Sequence, residues 1–205
     1  KVATTVFTSG CNFNCKYCHN RSLIKKTEGT LDEEEVFDFF QKRINMLDAL
    51  VITGGEPTLY GQALIAFCHR FKQLFPNKLL KVDTNGSHPE MIQALSEIAD
   101  FCAMDFKSDD YSSFSTIDLS TINRSLQQII KFQDFEIRVT LFPEYVDQKS
   151  LKKILDMVKF NAIKKITLQQ YRPLEKNEKT YSKEEIEGWF RAMQEKEIAV
   201  LYRGF

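Results

Sequence analysis

The chain has 205 residues, of which 43% are hydrophobic and 27% charged, enough for a sizeable core in one domain spanning residues 1–205. Its 28 Lys and Arg balance 28 Asp and Glu, which argues against a partner held mainly by bulk charge, such as a nucleic acid duplex or an anionic membrane, and leaves room only for a local basic patch. No apolar run approaches the roughly 20 residues of a membrane-spanning helix. The five cysteines are odd in number and three of them cluster, which excludes a secreted disulfide framework and points to a metal or redox site in a reducing cytoplasm.

The chain opens directly on "VATTVFT" (2–8), which reads as a core strand without a signal peptide, so a native N-terminal extension is expected to be missing. A helix is expected over 31–47, with Thr30 as its N-cap and Glu33 three residues on. "ALVIT" (49–53) reads as a buried strand, 61–75 as a helix stopped by Pro76, 79–84 as a strand, and 89–99 as a helix opening on Pro89. Strands at 101–106, 135–142 and 164–170 alternate with helices at 119–133 and 148–160. A last helix at 182–196 carries a capping-box pattern in Ser182 and Glu185, and 198–203 reads as a closing strand. Six βα units in a row predict a parallel sheet with crossover helices. An open partial barrel and a doubly wound sheet both satisfy this pattern.

In either architecture ligands sit at the C-terminal ends of the strands, where the unusual residues of this chain gather. "GCNFNCKYCHN" (10–20) follows the first strand, "TGGEPT" (53–58) the second, "DTNG" (83–86) ends the third and "MDFK" (104–107) the fourth; Arg138 and Thr140 lie on the fifth. Cys11, Cys15 and Cys18 supply three thiolates, suited to zinc, copper(I) or iron–sulfur clusters. Structural zinc needs four closed ligands, and His19 is an awkward fourth because it adjoins Cys18. A zinc-stabilised interaction module therefore stands as a minor alternative. A cubane cluster held by three cysteines leaves one iron open to another ligand, which suggests catalysis rather than electron carriage.

The CxxxCxxC spacing with Tyr17 before the last cysteine, followed by "GGEP" (54–57) after the second strand, resembles the signature of radical S-adenosylmethionine (SAM) enzymes. The likeness covers nearly the whole chain and implies that family's α/β fold, a partial (β/α)6 open TIM-type barrel. "TTVFTSGCNFNCKYCHN", "VITGGEPTL", "VDTNGS", "MDFKS" and the ending "YRGF" are similar to glycyl-radical-enzyme activating proteins, and most like those of anaerobic ribonucleoside-triphosphate reductase. One departure is Arg21, which stands where relatives usually carry proline after His-Asn.

The resemblance implies a 4Fe-4S cluster on Cys11, Cys15 and Cys18, SAM, a monovalent cation, an external one-electron donor such as flavodoxin or ferredoxin, and a glycyl-radical enzyme as partner. It implies SAM contacts from Gly54, Gly55 and Glu56, the last toward the ligand's amino group. Tyr17 and His19 are expected on the adenine side. Asp83, Thr84, Asn85, Asp105, Lys107, Arg138 and Thr140 complete the expected cofactor-binding set, with Lys107 and Arg138 pairing with the ligand carboxylate.

Each residue also has a plainer reading. The glycines suit an ordinary turn, Asp-Thr-Asn-Gly is a good turn sequence, and Arg138 suits a rim salt bridge. Cys68 and Cys102 read as core, His69 and His88 as surface, and Trp189 as helix packing. A small-molecule or nucleotide substrate, as in deazapurine-forming radical enzymes, is the alternative to a protein partner.

Overall fold

A computed structural model describes residues Lys1–Phe205. Seven strands alternate with six α-helices: β1 Ala3–Thr8, α1 Glu33–Gln41, β2 Ala49–Gly54, α2 Gln62–Leu74, β3 Leu79–Thr84, α3 Pro89–Leu95, β4 Phe101–Asp105, α4 Leu119–Ile129, β5 Asp134–Leu141, α5 Gln148–Phe160, β6 Lys165–Gln170, α6 Lys183–Met193 and β7 Ala199–Arg203. All seven strands are parallel, and the sheet order is β1-β2-β3-β4-β5-β6-β7. Every neighbour in the sheet is the next strand in sequence. A doubly wound sheet would reverse direction at an internal switch point. The chain instead winds one way, as an open partial barrel of six βα units with β7 as a further strand.

Alternate strand residues face opposite sides of the sheet. Leu50 and Ile52 of β2, Leu80 and Val82 of β3, Cys102 and Met104 of β4, and Val139 and Leu141 of β5 are buried against the helices. The helices answer with Leu64, Cys68 and Phe71 of α2 and Ile122, Leu126 and Ile129 of α4. Each large side chain buried this way contributes about 1.5–3 kcal/mol. The opposite face of the sheet forms an open trough and carries Lys81, Asp83, Asp105, Glu136 and Arg138 on alternate positions. No helix is long and apolar enough to cross a membrane.

Helix α1 differs from its expected span. Its N-cap is Asp32, not Thr30: Glu35 N donates to Asp32 Oδ1 at 2.8 Å, and Asp32 N donates to Glu35 Oε2 at 2.9 Å. The reciprocal pair starts the helix at Glu33, and tight turns replace it after Gln41. Helix α3 ends at Leu95 rather than residue 99, where the Ser96 hydroxyl takes up the Gln93 carbonyl. The Ser182–Glu185 capping box at α6 is present as expected.

Candidate active site

The loops after β1, β2 and β3 and the ends of β4 and β5 converge on a cavity of about 230 Å³. Cys11, Cys15, Tyr17, Cys18, His19, Gly54, Gly55, Glu56, Asp83, Thr84, Asn85, Asp105, Lys107 and Arg138 all border it. Thr140 does not. It borders a neighbouring cavity of about 250 Å³ with Gln169, Gln170, Arg172 and Arg203, which Tyr17 and His19 also reach.

The cysteine loop is fixed by main chain and by two aromatic plugs. Gly10 N donates to Leu23 O at 2.7 Å and Cys11 N to Ile24 O at 2.9 Å. Phe13 is buried edge-on against Tyr111 and Phe114, and Tyr17 packs on Phe142, Tyr145 and Tyr171. Tyr17 thus anchors the loop while bordering both cavities. Its buried hydroxyl nonetheless has no hydrogen-bond partner. Between the plugs Cys15 is buried, while Cys11 and Cys18 are half-buried. Burial pushes the Cys15 thiol up to about 11, against the pull of Lys107. Cys11 Sγ accepts from Phe13 N at 3.4 Å and from Asn85 Nδ2 at 3.9 Å.

Glu56 borders the cavity and is also a structural tie. It is fully buried, and Oε1 accepts from Thr58 N at 3.1 Å, Thr58 Oγ1 at 2.5 Å and Thr84 Oγ1 at 2.7 Å, while Oε2 accepts from Asn85 N at 2.6 Å. Burial raises its carboxyl above the ordinary value, and these four donors only partly offset the rise. The side chain ties the loop after β2 to the end of β3. The glycines before it have a second reason to be glycine. A Cβ on Gly55 would lie 2.1 Å from Gly10 O, and one on Gly54 would lie 2.4 Å from Thr8 N and O. Gly54 also has φ +122°, a conformation open to glycine. Both allow the second loop to lie directly on the start of the cysteine loop.

The strand-end acids are answered within the protein. Arg138 Nε donates to Asp105 Oδ1 at 2.7 Å and its Nη1 to Asp83 Oδ2 at 3.2 Å. Lys107 Nζ reaches Asp105 Oδ2 at 3.2 Å, and Lys81 Nζ lies 3.0 Å from Asp83 Oδ1, though off the angle for a hydrogen bond. Burial would raise Asp105, but Arg138 and Lys107 overcome it and hold the carboxyl at about 2. Arg138 is an internal bridge rather than a rim pair. The charge that a monovalent cation would balance is balanced already, and no role is derived for one. Reading the sequence missed His88, expected at the surface: it is half-buried, its Nδ1 2.9 Å from Thr58 Oγ1, behind Glu56. Only its place two residues beyond Gly86 in the turn hinted at this.

The sequence profile of the Radical SAM superfamily matches residues 5–160. The chain belongs to the radical SAM superfamily. It is 33% identical over 198 residues to a Methanocaldococcus jannaschii protein that carries the provisional name of a glycyl-radical enzyme activating enzyme, covering 89% of this chain and 78% of that one. It is 29% identical over 122 residues to the 7-carboxy-7-deazaguanine synthase of Thermococcus kodakarensis, covering 49% of this chain and 47% of that one. Among solved structures, Streptococcus suis SuiB bound to S-adenosylmethionine superposes with a TM-score of 0.69 at 12% identity, over 99% of this chain and 50% of that one. That likeness shows the fold, and the chain spans half the length of the structure it matches.

The cofactors of this radical SAM protein are those of the family, a 4Fe-4S cluster and SAM. The site fits them. Three thiols border one cavity, and two N–H groups already point at the Cys11 sulfur, as a thiolate ligand needs. No three His, Cys, Asp or Glu side chains converge where a single metal ion would sit, and His19 Nε2 lies 3.1 Å from Arg172 O.

Proposed function

We propose that this radical SAM enzyme generates a glycyl radical on a separate enzyme, of the anaerobic ribonucleoside-triphosphate reductase kind. The observation that carries the reading is the match to the M. jannaschii protein, which extends over nearly nine-tenths of this chain. Cys11, Cys15 and Cys18 hold the cluster. When bound there and supplied with one electron by a cytoplasmic flavodoxin or ferredoxin, the cluster would supply the reductive chemistry that cleaves SAM, and the hydrogen atom would come from a glycine Cα of the partner.

The chain's own residues bind and orient. Lys107 and Arg138 put positive charge on the cavity wall for the ligand carboxylate. Asp83 Oδ1, which faces Lys81 Nζ at 3.0 Å but accepts no hydrogen bond, would exchange that ion pair for the ligand ammonium. Gly54 and Gly55 present main chain to the ligand, held in place by Glu56, and the Tyr17 hydroxyl and His19 lie toward the second cavity and its Thr140. The open trough admits a peptide loop.

A second reading, a small-molecule substrate, draws on the likeness to the deazaguanine synthase, which covers about half of this chain. The test mixes reduced, reconstituted protein with SAM and a candidate reductase under electron paramagnetic resonance. A glycyl doublet in the partner is expected, absent when Cys15 is Ala or the partner glycine is replaced. Deoxyadenosine formation with no such doublet would favour the small-molecule reading.

A further inference from the structure

The chain is neutral, yet its charge is unevenly placed. Residues 1–27 carry Lys1, Lys16, Arg21, Lys25 and Lys26 and no Asp or Glu at all. Four of these five lie in or just after the cysteine loop, and the fold keeps them there. Lys16, Arg21, Lys25 and Lys26 are exposed, and the main chain of Leu23 and Ile24 bonds Gly10 and Cys11 directly. Lys26 Cβ comes within 3.3 Å of the position a Cβ on Gly10 would take. Across the loop, exposed Arg172 is tied to it through its carbonyl at His19 Nε2, 3.1 Å away. Lys16 is neutralised by Glu144, whereas Arg21, Lys25, Lys26 and Arg172 have no carboxylate within 4.0 Å.

We infer that the surface formed by Arg21, Lys25, Lys26 and Arg172 is the docking face for an acidic one-electron carrier protein. The inference rests on the function proposed above and adds where the electron enters. Three arguments carry it. The face is complementary to an acidic protein, and complementary fields steer encounter and raise association rates by ten-fold or more. It adjoins the cysteine loop, because Leu23 and Ile24 bond the main chain of Gly10 and Cys11, and two of the three thiols, Cys11 and Cys18, are only half-buried. It is also distinct from the strand-end acids and bases, whose charges are paired with one another. In the step itself the carrier, a flavin hydroquinone, becomes a semiquinone by giving one electron, and the centre held by the three cysteines gains that electron. No bond to the protein changes.

The test uses the full chain with its cluster reconstituted, and a purified acidic flavodoxin in its hydroquinone form. Stopped-flow absorbance follows cluster bleaching for wild type and for the combined variant Arg21→Glu, Lys25→Glu, Lys26→Glu, at ionic strengths of about 0.05 and about 0.5 M. The wild-type rate is expected to fall about ten-fold or more with salt. The variant is expected to be at least as slow at low salt and nearly indifferent to salt. Dithionite, which needs no docking face, reduces both proteins alike, and SAM cleavage driven by dithionite is unchanged. Reduction of the variant by flavodoxin at the wild-type rate, or a wild-type rate insensitive to salt, overturns the inference. Tight, salt-sensitive binding of a short single-stranded RNA that these substitutions abolish, without any change in flavodoxin reduction, would give the face to nucleic acid instead. Failure of SAM cleavage in every arm, with docking-dependent reduction intact, would sink the proposed function and leave the docking face standing.

Discussion

Four donors converge on the Glu56 carboxylate at zero exposure, and a glutamine there could accept with only one of its two head atoms. Glu56→Gln would set an amide N–H against a buried donor. A cost of about 1–3 kcal/mol follows, or roughly 2–12 °C in Tm for a chain of this size. Thermal melting checks it; unchanged Tm with weakened SAM binding would give the carboxylate to the ligand rather than to the fold. The three clustered cysteines should each be required for iron after reconstitution. Cys68 and Cys102, fully buried with no polar neighbour required, should cost about 1 kcal/mol as Ala and leave iron content alone. Asp105 adds a pH signature. Its folded carboxyl sits at about 2, below the ordinary 3.8, so its stabilisation is complete above pH 4 and lost as pH falls through 2. Asp105→Asn should lose about 2 kcal/mol at pH 7, with the gap to wild type closing toward pH 2. The cysteines and glycines were legible because residue type and spacing alone specify them. The donors around Glu56 were not legible, because the identity of its partners, Thr84 and Asn85, depends on a neighbouring strand end.

The loop after β2 and the cysteine loop after β1 behave as one part, since Gly55 N donates to Thr8 O at 2.9 Å and Glu56 N to Gly10 O at 2.8 Å. Gly55→Ala drives a Cβ into the Gly10 carbonyl, backbone against backbone, where neither side yields cheaply. We expect a loss of at least 1–3 kcal/mol, roughly, and iron content below wild type after reconstitution, read by melting and metal analysis. Strands and helices were legible in order and number from the alternation of β-branched and amphipathic stretches. The start of α1 was not: "TLDE" and "DEEE" both satisfy the capping pattern, and only the Asp32 backbone, extended at φ −91° and ψ 173°, selects the second. Asp32→Ala should cost about 1 kcal/mol without touching iron content, again by melting.

At the scale of the molecule, sequential strand order is what turns seven scattered strand ends into one rim. Periodicity left barrel and doubly wound sheet equal, and pairing decided between them. The acids and bases on the trough floor were visible in the sequence but not their mutual pairing, because Asp105 lies beside Arg138 only through the β4–β5 register. The same register logic places Phe7 of edge strand β1 on the face of Thr53, and Leu201 of edge strand β7 on the face of Thr167. Both are well exposed, at 55% and 48%. Neither contributes much packing, so Phe7→Ser and Leu201→Ser should each move stability by about 0.5 kcal/mol or less. They should lower the yield of partner radical per deoxyadenosine formed, measured by quantitative resonance against product analysis.

An unclosed sheet also means that the molecule lacks one wall of its own reaction vessel. A reactive species made in the trough has solvent, buffer and oxygen on one flank until another surface seats there. On the function proposed above, the partner would serve as substrate and as lid together, and catalysis would become conditional on company. Run alone, the enzyme should waste its cosubstrate on solvent and on itself. Run with a partner whose reactive glycine is replaced but whose surface is intact, it should waste less, because the flank is shut even though nothing behind it can react.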